Sequence, residues 1–197
     1  MSATFKYFII HKPYKVLSQF SDENGNAGLG SIYTLPRDVY PVGRLDLDSE
    51  GLLILTNDKA LNNKLLNPKH AHTRTYLAEV EGIPDRADLA QFAKGLDIKV
   101  SGKVHRTLPA KIEIVAPPQI AERDPPVNYK KHPERSWVKI ELTEGKNRQV
   151  RRMTAAIGHP TLRLVRVAIE ELQLLPLASG GITQLSQKAI YPKLKIR

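Results

Sequence analysis

Gly43-Arg44-Leu45-Asp46-Leu47-Asp48-Ser49-Glu50-Gly51 runs without a break into Leu52-Leu53-Ile54-Leu55-Thr56-Asn57-Asp58. The second half is a short unbroken apolar run, which reads as a strand buried on both faces. Thr56-Asn57-Asp58 then reads as a helix start, because Leu61 and Leu65 follow one turn apart. The first half, if extended, sends Arg44, Asp46 and Asp48 to one side and Leu45 and Leu47 to the other. A carboxylate beside a cation thus stands at the mouth of a buried strand, an arrangement suited to a nucleophile or a base. Two plainer readings compete. One is an acidic surface turn. The other is a calcium loop, whose first six positions Asp46, Asp48, Glu50 and Gly51 imitate, but position twelve is Asn57 and not a bidentate Glu. A magnesium site on Asp46, Asp48 and Glu50 has no further support in the sequence.

Working outward, residues 5–11 read as a strand closed by Lys12-Pro13, and residues 18–30 as a loop rich in Gly, Asn, Asp and Ser. The glycines at 25–30 follow no convincing strand and read as a flexible loop. Residues 73–80 alternate and read as a strand. Residues 85–94 read as a helix with Leu89, Phe92 and Ala93 inward and Gly95 as its stop. Strands follow at 111–115, 136–142 and 161–169, with a helix at 147–157 ended by Gly158. Residues 116–133 hold five of the fourteen prolines and read as a long, exposed, irregular connection. Residues 180–197 form a basic tail with room for a short helix, ending in Lys193, Lys195 and Arg197. Strands and helices interspersed without strict βαβ order predict an α+β fold, with a mixed or antiparallel central sheet flanked by helices. At 197 residues this is one domain over 1–197, divisible into two subdomains.

Composition narrows the function. Cysteine is absent, which excludes a disulfide scaffold, a Cys-based zinc site and a thiol nucleophile. A net charge of +10 makes a polyanion, nucleic acid first, the partner to test. An anionic membrane surface is the rival, but no apolar run approaches a membrane span. Nor does the N-terminus read as a signal peptide, since His11, Lys12 and Pro13 stop its apolar stretch. A soluble cytoplasmic protein is expected. His70 and His72 have no third ligand nearby and read as ordinary surface histidines.

The charge is uneven. Residues 123–166 carry eleven Lys and Arg against four acids, a local net of +7. The sharpest feature there is Lys146-Asn147-Arg148-Gln149-Val150-Arg151-Arg152-Met153. On a helix, Arg148, Arg151 and Arg152 fall within about a 100° arc, opposite Val150, Met153, Thr154 and Ile157. Gly145 ahead of them would let the backbone approach an anion at the helix N-terminus. A solvated charged face is the competing reading. Against it, the neighbours Asn147, Gln149, Ala155 and Ala156 include no acid, so the arginines call for an outside anion or a buried acid.

Four segments, in order, resemble the pseudouridine synthases of the RsuA type. The residues from Gly43 to Asp46 with Ser49 to Asp58 resemble the catalytic motif of that family. Arg74-Thr75-Tyr76-Leu77-Ala78-Glu79-Val80 resembles its second motif, and Glu144 to Met153 its third. The opening Tyr7 to Pro13 resembles the strand that begins the catalytic domain. Ser49 stands where Thr is more usual and Arg74 where Lys is usual; both swaps keep the polar or basic character. Many relatives carry an S4-type RNA-binding domain ahead of the opening strand. Here six residues precede it, so a catalytic domain without that module is expected.

The resemblance implies isomerisation of a specific uridine in ribosomal RNA, most naturally of the large subunit, with no cofactor and no metal, by a monomer. Asp46 would be the essential carboxylate, as a nucleophile on the sugar or as a base generating a glycal. Tyr76 would pack against the target uracil, and Arg151 matches the position whose guanidinium pairs with the aspartate. Lys146, Arg148 and Arg152 would bind RNA phosphates, and Leu164 would floor the uracil. Arg44 would fill the gap left by the extruded nucleotide, since chemistry on a stacked base requires extrusion. The alternatives are a non-catalytic ribosomal RNA-binding or assembly factor and a metal-dependent nuclease using Asp46, Asp48 and Glu50.

Overall fold

The apolar run at 52–55 lies in a strand, Glu50–Thr56, all seven residues of which are buried. A computed structural model describes residues 4–174 and 176–196. In chain order the elements are β1 (Tyr7–Lys12), β2 (Tyr40–Pro41), β3 (Glu50–Thr56), α1 (Lys59–Leu66), β4 (Arg74–Glu81), α2 (Arg86–Ala93), β5 (Asp97–Val100) and β6 (Lys103–Arg106). They continue with β7 (Lys111–Val115), β8 (Arg135–Leu142), α3 (Gln149–Ala156), β9 (Thr161–Ile169), β10 (Leu172–Gln173), β11 (Ile182–Leu185) and α4 (Gln187–Lys193). The chain divides into two compact units, Met1–His72 with Arg166–Arg197, and Thr73–Val165.

In the first unit β1 lies between β3 and β11, antiparallel to both, with Lys12 opposite Gly51 and Tyr7 opposite Thr56. The short β2 covers the other edge of β3 at Thr56 and Leu55. Gly51 has φ +109, and a Cβ there would lie 2.3 Å from the carbonyl oxygen of Arg166, so only glycine fits. Asp58 caps α1: its Oδ1 accepts from the amides of Ala60 (2.9 Å) and Leu61 (3.1 Å). Its Oδ2 accepts from the hydroxyls of Tyr7 (2.8 Å) and Tyr191 (2.6 Å), which ties α4 to β1 and α1. The tail at 180–197 therefore holds both the helix foreseen there and a strand, β11, that was not. Its last residue, Arg197, lies outside the described residues.

In the second unit β8 lies between β4 and β7, antiparallel to both, in register from Arg74↔Leu142 to Glu81↔Arg135. Its core includes Ala78, Phe92, Val138, Ile140 and Met153. Asp85 and Asp88 form a reciprocal capping box at the start of α2. Gly95, at φ +82, follows its end. The β5–β6 hairpin, absent from the sequence reading, turns through Ser101 (φ +49) and Gly102 (φ +79). Positive φ at both central residues is the signature of a two-residue hairpin turn.

Several expectations need correction. The connection at 116–133 has no regular element, as expected, but it is partly docked. Val127 is buried, Tyr129 lies 4.1 Å beneath the Arg135 guanidinium, and Arg163 donates to the carbonyl of Ala121 at 2.9 Å. The loop at 25–30 is tightly folded on itself: a Cβ on Gly28 would lie 2.4 Å from the Ser21 carbonyl oxygen. The Asp22 Oδ1 accepts from both Gly28 N and Ser31 Oγ at 2.7 Å. His72 is not a surface histidine; it is buried and its Nδ1 lies 3.2 Å from Glu170 Oε1. The basic helix begins later than its periodicity suggests. Arg148 is the residue before α3, in the left-handed conformation (φ 52, ψ 34), so it does not share a helical face with Arg151 and Arg152.

Candidate active site

Asp46 lies on an irregular segment that enters β3, half-buried between the buried Leu45 and the half-buried Leu47. The segment is held from outside by residues 13–19. Lys15 N donates to Leu47 O at 2.9 Å. The Ser18 Oγ donates to Leu45 O at 2.8 Å and accepts from Leu45 N at 2.9 Å. The exposed Arg44 reaches the same segment, its Nη2 donating to Gln19 Oε1 at 3.1 Å. Ser49 N closes a turn onto Asp46 O at 3.0 Å. Both neighbours of Asp46 are thus fixed by backbone bonds, which restricts where its carboxylate can point.

Beneath this loop is a fully buried cation that sequence reasoning treated only as a strand terminator. Lys12 donates through Nζ to Pro13 O (2.8 Å) and Val16 O (2.7 Å). Burial pushes its ammonium down to about 8, while Glu50, Asp48 and Asp46 pull it back up. Lys12 therefore sits in the field of the whole acidic turn. Arg166 adds a second buried cation, its Nε donating to Leu52 O at 2.8 Å. The available signal for Lys12 was a lysine at the end of an apolar strand, directly before proline. Among the described residues no group of three or more His, Asp or Glu is placed to hold a metal ion.

The other site residues belong to the second unit. Tyr76, half-buried on β4 opposite Ile140 of β8, packs against the core cluster that includes the buried Leu164. Arg151 on α3 donates through Nη1 to Thr161 O at 3.2 Å, beside the Thr154–Thr161 hydroxyl pair at 2.7 Å. Lys146 is exposed. Its amide donates to Oε1 of the buried Gln149 at 2.8 Å, and Gln149 Nε2 donates to Glu144 Oε1 at 2.7 Å. Gln149 thus folds the approach to α3 into a fixed loop. Gly145 plays no packing part: a Cβ there would meet open space. Arg152 is more committed than its expected phosphate role implies. Its Nε and Nη2 donate to Asn147 O (3.0 Å) and Oδ1 (3.3 Å), and its Nη1 donates to Lys99 O at 2.6 Å.

One unit thus carries a carboxylate on a doubly pinned loop within the field of a buried lysine, and the other carries a tyrosine packed on an apolar core and a fixed basic loop. Comparison with known proteins is consistent with this chemistry. Residues 6–156 match the family model described as RNA pseudouridylate synthase. The chain is 47% identical over 175 residues to ribosomal large subunit pseudouridine synthase E of Vibrio parahaemolyticus, covering 89% of this chain and 71% of that one. It is 47% identical over 172 residues to the protein of the same name from Xanthomonas axonopodis pv. citri, covering 86% and 88%. A crystal structure of a pseudouridylate synthase superposes with a TM-score of 0.78 at 27% identity, over 96% of this chain and 74% of that one. The human RNA pseudouridylate synthase domain containing 1 shares the fold, with a TM-score of 0.60 at 14% identity over 96% and 82%. Among the described residues no helix is long and apolar enough to cross a membrane. The chain belongs to the RNA pseudouridylate synthase family, the enzymes that isomerise uridine to pseudouridine in RNA.

Proposed function

We propose that this protein converts a specific uridine of large-subunit ribosomal RNA to pseudouridine, with Asp46 as the essential carboxylate. The observation that carries the chemistry is the double anchoring of Asp46's neighbours, Leu45 and Leu47, on a turn whose charge acts on the buried Lys12. The choice of ribosomal RNA is supported by the names of relatives 47% identical to this chain.

In this reading the C1′–N1 bond breaks, the uracil turns, and C5 bonds to C1′. The product is an isomer: N1 ends with a proton and C5 without one. Asp46 acts on the ribose as nucleophile or base. Tyr76, packed against the core cluster to which Leu164 belongs, meets the flat face of the uracil. Arg151 is assigned as the counter-charge of Asp46 on the resemblance of Glu144 to Met153 to the family's third motif. Lys146 and Arg148 meet RNA phosphates, and Arg44 fills the space of the extruded nucleotide. The reading includes a monomer at work in the cytoplasm, without cofactor or metal.

The test maps pseudouridine across ribosomal RNA from cells with and without this protein, and repeats the conversion with purified wild type and Asp46→Asn in excess chelator. One site should disappear from the cellular map. Wild type should restore it and Asp46→Asn should not. Unaltered maps with intact RNA binding would instead identify a non-catalytic binding factor, and shortened RNA a nuclease.

A further inference from the structure

The β5–β6 hairpin presents one face that the fold does not bury. Its register pairs Asp97 with Arg106 and Lys99 with Val104 on that face, and Ile98 with His105 and Val100 with Lys103 on the other. Ile98 is buried in the core of the second unit and Val100 packs against it. Asp97, Lys99, Val104 and Arg106 are all exposed, Val104 by 68%. The Arg106–Asp97 ion pair is 3.7 Å long and open to solvent on both sides, so it restrains the guanidinium weakly. Lys103 is exposed beside the turn.

A two-stranded hairpin alone is marginal in water. This one is fastened to the loop that leads into α3. Arg152 Nη1 donates to Lys99 O at 2.6 Å. The Glu144 carboxylate takes the Leu108 amide (2.7 Å) and Gln149 Nε2 (2.7 Å) on Oε1, and lies 3.2 Å from His105 Nε2 through Oε2. The loop so fastened is the one that carries Lys146 and Arg148. Five cations (Lys99, Arg106, Lys146, Arg148 and Arg152) therefore belong to this braced hairpin and loop, with Lys103 exposed at the turn on the hairpin's other face, and the two acids among them, Asp97 and Glu144, already have partners.

We propose that the β5–β6 hairpin is an RNA-docking arm: Lys99, Lys103 and Arg106 contact the phosphate backbone of the RNA substrate, and Arg152 positions the arm. This rests on the reading that the protein acts on RNA. The chemistry fits a phosphate backbone rather than base edges. The cations are spaced along an exposed ribbon whose one acid, Asp97, holds Arg106 only through a solvent-open pair, and phosphate contacts set register without reading sequence.

The test is the triple variant Lys99→Gln/Lys103→Gln/Arg106→Gln, which changes exposed side chains only. Binding to a long ribosomal RNA fragment is measured across salt concentrations, with KM for its conversion. Each lost phosphate contact removes about 0.7–0.9 from the slope of log K against log salt, so the slope should become shallower by about two to three units and KM should rise. Lys103→Glu, at the turn, gives the same direction should the triple variant unfold. Arg152→Gln should speed amide hydrogen exchange across residues 97–106, which the loss of a phosphate ligand alone would not do. A wild-type salt slope in the triple variant overturns the proposal, as does weakened binding to phosphatidylserine vesicles with RNA binding intact. If wild type binds RNA through the hairpin but converts no uridine, the docking arm stands and the catalytic reading falls.

Discussion

The hydroxyl of Ser18 holds both backbone polar groups of Leu45, donating to its carbonyl at 2.8 Å and accepting from its amide at 2.9 Å. One side chain thereby takes the place of a strand partner for the residue directly ahead of Asp46. Lys15, three residues earlier, fixes the residue directly after Asp46 through Leu47 O. The pair matters because Leu45 and Ser18 are both buried, so neither backbone group has water as an alternative.

Ser18→Ala should cost about 1–3 kcal/mol, the penalty for stranding buried hydrogen-bonding groups. It should also lower kcat more than it raises KM, because it loosens the loop of Asp46 without touching RNA. Denaturant unfolding and steady-state conversion check the two halves. Wild-type kcat in a folded Ser18→Ala protein would count against the positioning role.

Gly51→Ala should be severe. The new methyl would meet Arg166 backbone atoms at 2.3–2.7 Å, on a φ of +109 that disfavours any side chain. The expected loss is at least about 3 kcal/mol, within the range of overpacked and strained sites. Thermal unfolding of the purified variant measures it.

Lys12 makes stability depend on pH in a stated direction. Its folded value is about 8 and its ordinary value 10.5, so between these the unfolded chain binds more protons. Its contribution to stability rises with pH across that window, by about 1.4 kcal/mol per unit, and is lost as pH falls through the folded value. The unfolding free energy of wild type minus that of Lys12→Met should climb from about pH 8 to about pH 10. Tyrosine ionisation is common to both proteins and cancels. A flat difference would show that Lys12 titrates normally.

Asp58 gives the opposite window. Burial opposes its charge, but hydrogen bonds from Tyr191, Leu61, Tyr7 and Ala60 outweigh it, so its carboxyl lies below the usual range. Its stabilisation is present above the ordinary carboxylate value and lost as pH falls through the folded one. Asp58→Asn should cost about 2 kcal/mol at neutral pH, with the gap to wild type narrowing in acid. Unfolding curves at pH values on either side of the carboxylate range read both effects.

Tyr76→Phe should retain much of the activity and stability, whereas Tyr76→Ala should lose about 3 kcal/mol of stability and most conversion, because it removes the ring that packs against the core of the second unit. Equal loss of kcat in both folded variants would transfer the role from the ring to the hydroxyl.

Much of the fold was legible because its signals are local. The run at 52–55 contains nothing a solvent-facing strand would carry, and it is buried throughout. Asp58 and Asp85 announce helices within three residues of themselves, and the backbone amides they cap lie that close. The strands read at 111–115 and 161–169 coincide with β7 and β9. The hairpin at 97–106 escaped because each strand is four residues long and at least half polar, so its pattern matches a loop as well as a sheet.

By itself, then, the sequence determined the α+β class, the run of strands and helices, and the residue types of an acidic turn and a basic loop, all of which follow from periodicity and capping within a few residues. Only the tertiary structure decided that Ser18 fastens Leu45 across 27 positions, that Lys12 is buried in the field of Asp46, Asp48 and Glu50, and that Arg148 leaves the helix while Arg152 turns to Lys99. Those outcomes depend on which distant carbonyls are left without a partner once the strands have paired. A buried donor must find an acceptor wherever the chain brings one, and no local pattern encodes that address.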